Sequence, residues 1–110
     1  MFLYLAYCIP HTHWQVPELG EYAQKDWPEE RFKVQAAMVS RMDRDIGRIK
    51  RLLEELGIEE DTLLIFNSDN GAHGQGGTRE FFDTTGGLKG KKRLMTEGGV
   101  RSPMLAYWPG

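Results

Sequence analysis

The 110-residue chain has a single cysteine, Cys8, so an internal disulfide and a cysteine-built zinc cluster are both excluded. Cys8 itself reads as an ordinary buried thiol. No apolar run approaches the ~20 residues that cross a bilayer, and the apolar opening 1–7 carries no basic n-region. No membrane partner is expected. An excess of one charge is also missing. Fourteen basic residues stand against 16 acidic ones, giving a net charge of −2 with both signs intermixed, which offers no broad positive field for a phosphate backbone. Nucleic acid is therefore not an expected partner. What remains is a composition of 40% hydrophobic and 27% charged residues, near globular averages and enough for one modest core.

Phe2–Tyr7 is a continuous aromatic and aliphatic run ended by Pro10, the pattern of a strand covered on both faces of an α/β sheet. Because the first residue then falls inside a core strand, the chain is expected to have been cut from something longer. From about Pro28 to Leu56, Met38, Met42, Ile46, Ile49, Leu53 and Leu56 recur at steps of three and four, which predicts a long amphipathic helix. Asp26, Pro28 and Glu29 mark its start, and Gly57 followed by Ile58 fits a Schellman stop. Thr62–Phe66 predicts a second strand, closed by Ser68-Asp69-Asn70-Gly71, and Met104–Trp108 a third. Strand, long helix and strand make one crossover unit, whose two polar loops would share a rim. The glycine-rich residues 74–87, with Phe81-Phe82, read as an irregular surface loop.

Polar groups gather in the two loops. Asp69 and Asn70 place a carboxylate and an amide oxygen side by side, the hard oxygen ligands that Ca²⁺ takes, although Ser-Asp-Asn-Gly is also an ordinary turn sequence. His11 follows the proline that ends the opening run and His13 lies two residues on. These two, and His73, could equally be packed or solvated imidazoles. Lys89, Lys91, Lys92 and Arg93 form a short basic stretch before Glu97-Gly98-Gly99, where a lysine ammonium could hold an anion.

Four segments occur in the order found in arylsulfatase-type sulfatases: Phe2–Tyr7 leading to Pro10-His11, Met42-Asp43-Arg44-Asp45-Ile46-Gly47-Arg48-Ile49, Ser68-Asp69-Asn70-Gly71, and Glu97-Gly98-Gly99-Val100-Arg101-Ser102-Pro103. The chain resembles the formylglycine-dependent sulfatase family essentially from end to end. The resemblance implies that residues 1–110 are an internal segment of a sulfatase catalytic domain, with a partial alkaline-phosphatase-like α/β fold. It also implies hydrolysis of sulfate esters, on small molecules or sulfated glycans, with a bound Ca²⁺. By matching position, Asp69 and Asn70 correspond to one pair of calcium ligands, and His11 and Lys92 to the residues that contact the substrate sulfate. Lys89 stands where the family usually has arginine.

The family's nucleophile arises from cysteine in a Cys-x-Pro-Ser-Arg type motif, and that motif is absent from these residues. Cys8-Ile9-Pro10 imitates its first positions, but Thr12 stands where arginine is required, so Cys8 is rejected as the modified residue. The aspartate pair that completes the family's calcium site has no counterpart either. The segment alone is expected to be inactive and to hold calcium weakly. Two other readings stay open: a related phosphate or phosphonate monoester hydrolase, and a non-catalytic α/β module that forms homo-oligomers through exposed strand edges. The compartment is left open.

Overall fold

The computed structural model describes residues 2–110. The chain divides into two compact units, Met1–Leu52 and Leu53–Gly110. The first is dominated by helix α1, Glu30–Glu55, which continues into the second. Phe32, Ala37, Met38 and Met42 are its buried residues, of which Met38 and Met42 belong to the predicted stripe. The segment before the helix folds back on this part of it. The Tyr22 hydroxyl lies 2.7 Å from Ser40 Oγ, and the Tyr22 ring packs 5.6 Å from that of Trp27. Ile46 and Ile49 are only half-buried and Leu56 is exposed, so the stripe runs on past the core that covers it.

The predicted helix stop is realised bond for bond. Gly57 takes φ +66, its N–H donates to Glu54 O at 3.0 Å, and the Ile58 N–H donates to Leu53 O at 3.1 Å. That pair of bonds defines the Schellman motif, and glycine supplies the left-handed residue it needs.

In the second unit, β1 (Leu64–Asn67) pairs antiparallel with β2 (Met104–Tyr107), Leu64 opposite Tyr107 and Asn67 opposite Met104. Between them lie two short helices, α2 (Thr78–Phe82) and α3 (Glu97–Val100). Two hydrogen bonds fasten the residues before β1 to the end of β2: Tyr107 Oη donates to Glu59 Oε1 at 2.5 Å and Trp108 Nε1 to Glu60 O at 2.8 Å.

Three sequence expectations change. Residues 2–7 take no regular secondary structure, and Phe2, Leu3, Tyr4, Leu5 and Tyr7 are exposed. Their apolar character fits a strand, but a strand exists only where a neighbour receives its backbone groups, and no ladder reaches them among the described residues. The sheet is accordingly two-stranded and antiparallel. Cys8 is exposed rather than buried. Finally, part of the expected irregular loop is ordered as a 3₁₀ turn at Gln75–Gly77 leading into α2, with Thr78 buried and its Oγ1 donating to Gln75 O at 2.9 Å.

Candidate functional site

The Ser68–Gly71 turn leaves the end of β1 and is held by partners distant in sequence. Ser102 Oγ donates to Ser68 O at 2.9 Å, and Ser68 Oγ donates to Asn70 O at 3.1 Å. The Gly71 N–H donates to Gly99 O at 3.0 Å. Such close approach is possible only because side chains are missing. A Cβ on Gly71 would run into Gly98 O, and one on Gly99 would strike Leu94 O while lying 2.6 Å from Lys91 O. Gly98, whose own Cβ would lie 2.5 Å from Gly90 O, donates its N–H to Lys89 O at 2.8 Å. Three glycines thus bring the 68–72, 89–94 and 96–100 backbones into direct contact, and Gly98 and Gly99 are buried.

This interlock brings the backbones of two sequence-predicted segments together. The Lys92 N–H donates to Ala72 O at 2.8 Å, which fastens the basic stretch to the residue two places beyond Asn70. Lys92 and Asn70 are half-buried and Asp69 is exposed. Asn70 Nδ2 donates to Gly71 O at 3.0 Å, so the amide nitrogen is committed and Oδ1 is the atom left for a cation. With the Asp69 carboxylate it makes a hard-oxygen pair suited to Ca²⁺, two of the six to eight oxygens that ion takes. No group of three or more His, Cys, Asp or Glu side chains able to hold a metal occurs among the described residues. The chemistry of the pair suits calcium, but two oxygens are far fewer than that ion takes.

His11 belongs to the first unit, and its loop closes on itself. The His11 N–H donates to Cys8 O at 2.9 Å, Trp14 Nε1 to Pro10 O at 3.1 Å, and His11 Nδ1 lies 2.6 Å from Thr12 O. A carbonyl can only accept, so Nδ1 carries a proton and Nε2 is the nitrogen presented outward. His13 and His73 are exposed, as is Lys89, whose carbonyl serves the interlock. Sequence reading missed the parts played by Ser102, Gly71 and Lys91. The serine lies in the quoted Glu-Gly-Gly-Val-Arg-Ser-Pro run, but nothing in that run names its partner across the fold.

Comparison with known proteins fits this geometry to a class. A sulfatase family model matches residues 1–110. The human steryl-sulfatase is 34% identical over 97% of this chain and 18% of its own length. The mouse steryl-sulfatase is 43% identical over 64% of this chain, and the canine N-acetylgalactosamine-6-sulfatase 42% identical over 66%. Among solved structures, Ps i-CgsB superposes on 98% of this chain with a TM-score of 0.83 and 36% identity, and its complex with k-i-k-neocarrahexaose with a TM-score of 0.81 and 37% identity. The chain belongs to the sulfatase family and carries part of the sulfatase α/β fold. It spans only 12 to 18% of the length of these curated relatives and 23% of the solved chains.

Proposed function

We propose that the chain is a segment of a sulfuric ester hydrolase in which Lys92 and His11 hold the sulfate group and Asp69 and Asn70 contribute to a Ca²⁺ site. The observation that supports this reading is the Lys92 N–H bond to Ala72 O, which ties the Lys92 backbone to the turn that carries Asp69 and Asn70. The Lys92 ammonium would donate charge-assisted hydrogen bonds to sulfate oxygens. In its imidazolium form His11 would keep Nδ1–H on Thr12 O and have Nε2–H as the donor for a sulfate oxygen. Calcium, when bound, would offset negative charge on the sulfate as the ester S–O bond breaks. The nucleophile, a formylglycine, would come from outside these residues, since no Cys-x-Pro-Ser-Arg type motif occurs among them. The substrate class is a sulfate ester of a small molecule or glycan, in line with the steroid and amino-sugar names of the relatives and the neocarrahexaose bound to the structural neighbour.

The test is hydrolysis of an aryl sulfate by the full-length protein in calcium, beside the matching aryl phosphate. Sulfate release that falls roughly a hundredfold or more in kcat with Lys92→Ala or His11→Ala is the expected result. Full activity in either variant, or release of phosphate without sulfate, contradicts it.

A further inference from the structure

We propose that Lys91 is a second anion contact, one residue outward from Lys92, which selects substrates carrying another sulfate or carboxylate besides the one hydrolysed. This rests on the reading of Lys92 given above and deepens it. The Lys91 stem lies over Gly74: a Cβ at that glycine would fall 2.8 Å from Lys91 Cδ and 3.2 Å from its Nζ. The bare backbone at position 74 is the seat on which the lysine rests, and it brings the ammonium to the 73–75 backbone. The backbone beneath is equally fixed, since Lys91 O accepts the Leu94 N–H at 3.0 Å and lies against Gly99. A long side chain laid along a glycine surface has already lost part of the rotamer freedom that anion binding would otherwise cost.

Charge points the same way. Among the described residues, Lys89, Lys91, Lys92 and Arg93 form no ion pair. In the same unit Arg79 and Arg101 are paired with Glu80 and Glu97. The basic stretch is thus uncompensated on the side where Lys92 meets Ala72. Lys91 is seated on the loop that follows Ala72, with its ammonium against the Gly74 backbone. A monosulfated ligand has no use for Lys91. A ligand with a second anion a few ångströms away would engage Lys91 as well.

The experiment is a titration of the isotope-labelled full-length protein, in calcium-free buffer at low ionic strength, with phenyl sulfate and with the bis-sulfate of resorcinol, followed by amide NMR. The bis-sulfate is expected to bind about threefold to fivefold tighter, the range of an exposed charge pair, and to shift the Gly74 and Lys91 amides. Lys91→Gln should abolish that ratio and leave phenyl sulfate unchanged. Lys91→Arg should keep it, and Gly74→Ala, which displaces the stem, should reduce it. Retention of the ratio in Lys91→Gln overturns the proposal, as does an equal loss in Arg93→Gln, which would mark a diffuse basic surface. Lys92→Gln should weaken both ligands. If it weakens neither while Lys91→Gln removes the ratio, the role given to Lys92 fails and the Lys91 contact stands. A chain that binds neither ligand contradicts both.

Discussion

The two polar loops of this chain are built in opposite ways. Around His11, every hydrogen bond closes within four residues: Cys8 O, Thr12 O and Pro10 O all serve groups of the same short stretch. Around Asp69 and Asn70 two local bonds, Ser68 Oγ to Asn70 O and Asn70 Nδ2 to Gly71 O, are joined by bonds that run across the sequence, from Ser68 to Ser102, Gly71 to Gly99 and Ala72 to Lys92. The first loop is shaped by its own residues and the second by segments that must fold together before any part is in place. A ligand group on the second loop is therefore exposed to damage from residues far away in sequence.

Substitutions that attack the two loops should separate this contrast, and the largest effect is expected at the interlock. Gly99→Ala drives a Cβ into Leu94 O. Because backbone rather than a flexible side-chain tip must move, it should cost roughly 1–3 kcal/mol or more in urea unfolding and weaken sulfate binding at Lys92 although it touches no ligand group. A smaller effect is expected from single hydrogen bonds. Ser102→Ala removes the bond to Ser68 O and should cost about 1 kcal/mol, with amide shifts spreading through residues 68–72. Trp14→Phe removes the bond to Pro10 O and should cost no more, with shifts confined to residues 8–14. Spreading shifts from Trp14→Phe would erase the contrast.

The smallest effect concerns Tyr107, whose pKa is raised above its ordinary 10.0 chiefly by its hydrogen bond to Glu59, then by desolvation and by the Glu59 and Glu54 charges. A raised folded-state pKa favours the protonated phenol. Its contribution is therefore complete below the unfolded pKa near 10 and is lost as pH rises through the folded value. Phenolate absorbance should show Tyr107 titrating late, and Glu59→Gln should bring it back toward 10. An unchanged titration would show that the Glu59 bond is not formed in solution.

Much of the framework could be read from the residues. Helix α1 shows in the Met38–Leu56 spacing, and its end in Gly57-Ile58, because both signals are local and the Schellman bonds need nothing else. The two strands were placed to within two residues, at Leu64–Asn67 and Met104–Tyr107, since β-branched and apolar runs bounded by turn residues suffice. The opening run failed for the complementary reason: Phe2–Tyr7 has strand composition, but composition carries no information about a hydrogen-bonding neighbour. Of the candidate site, Asp69, Asn70, His11 and Lys92 stood out by residue type and by their place in a recognisable order. The glycine interlock did not, because a glycine that admits another backbone looks, in sequence, like one that merely turns. Lys91 was only one of four cations until Gly74 was found beneath it.

The bond that seats Lys92 on Ala72 supports everything proposed for the site, and native-state hydrogen exchange reads it directly. The amides of Gly71, Lys92 and Gly98, each bonded across the interlock, should exchange slowly and lose protection together when Gly99 becomes alanine. If the Lys92 amide instead exchanges as freely as those of the exposed opening residues in an otherwise protected second unit, the Lys92 backbone is not held against the turn that carries Asp69 and Asn70 and the assignment falls.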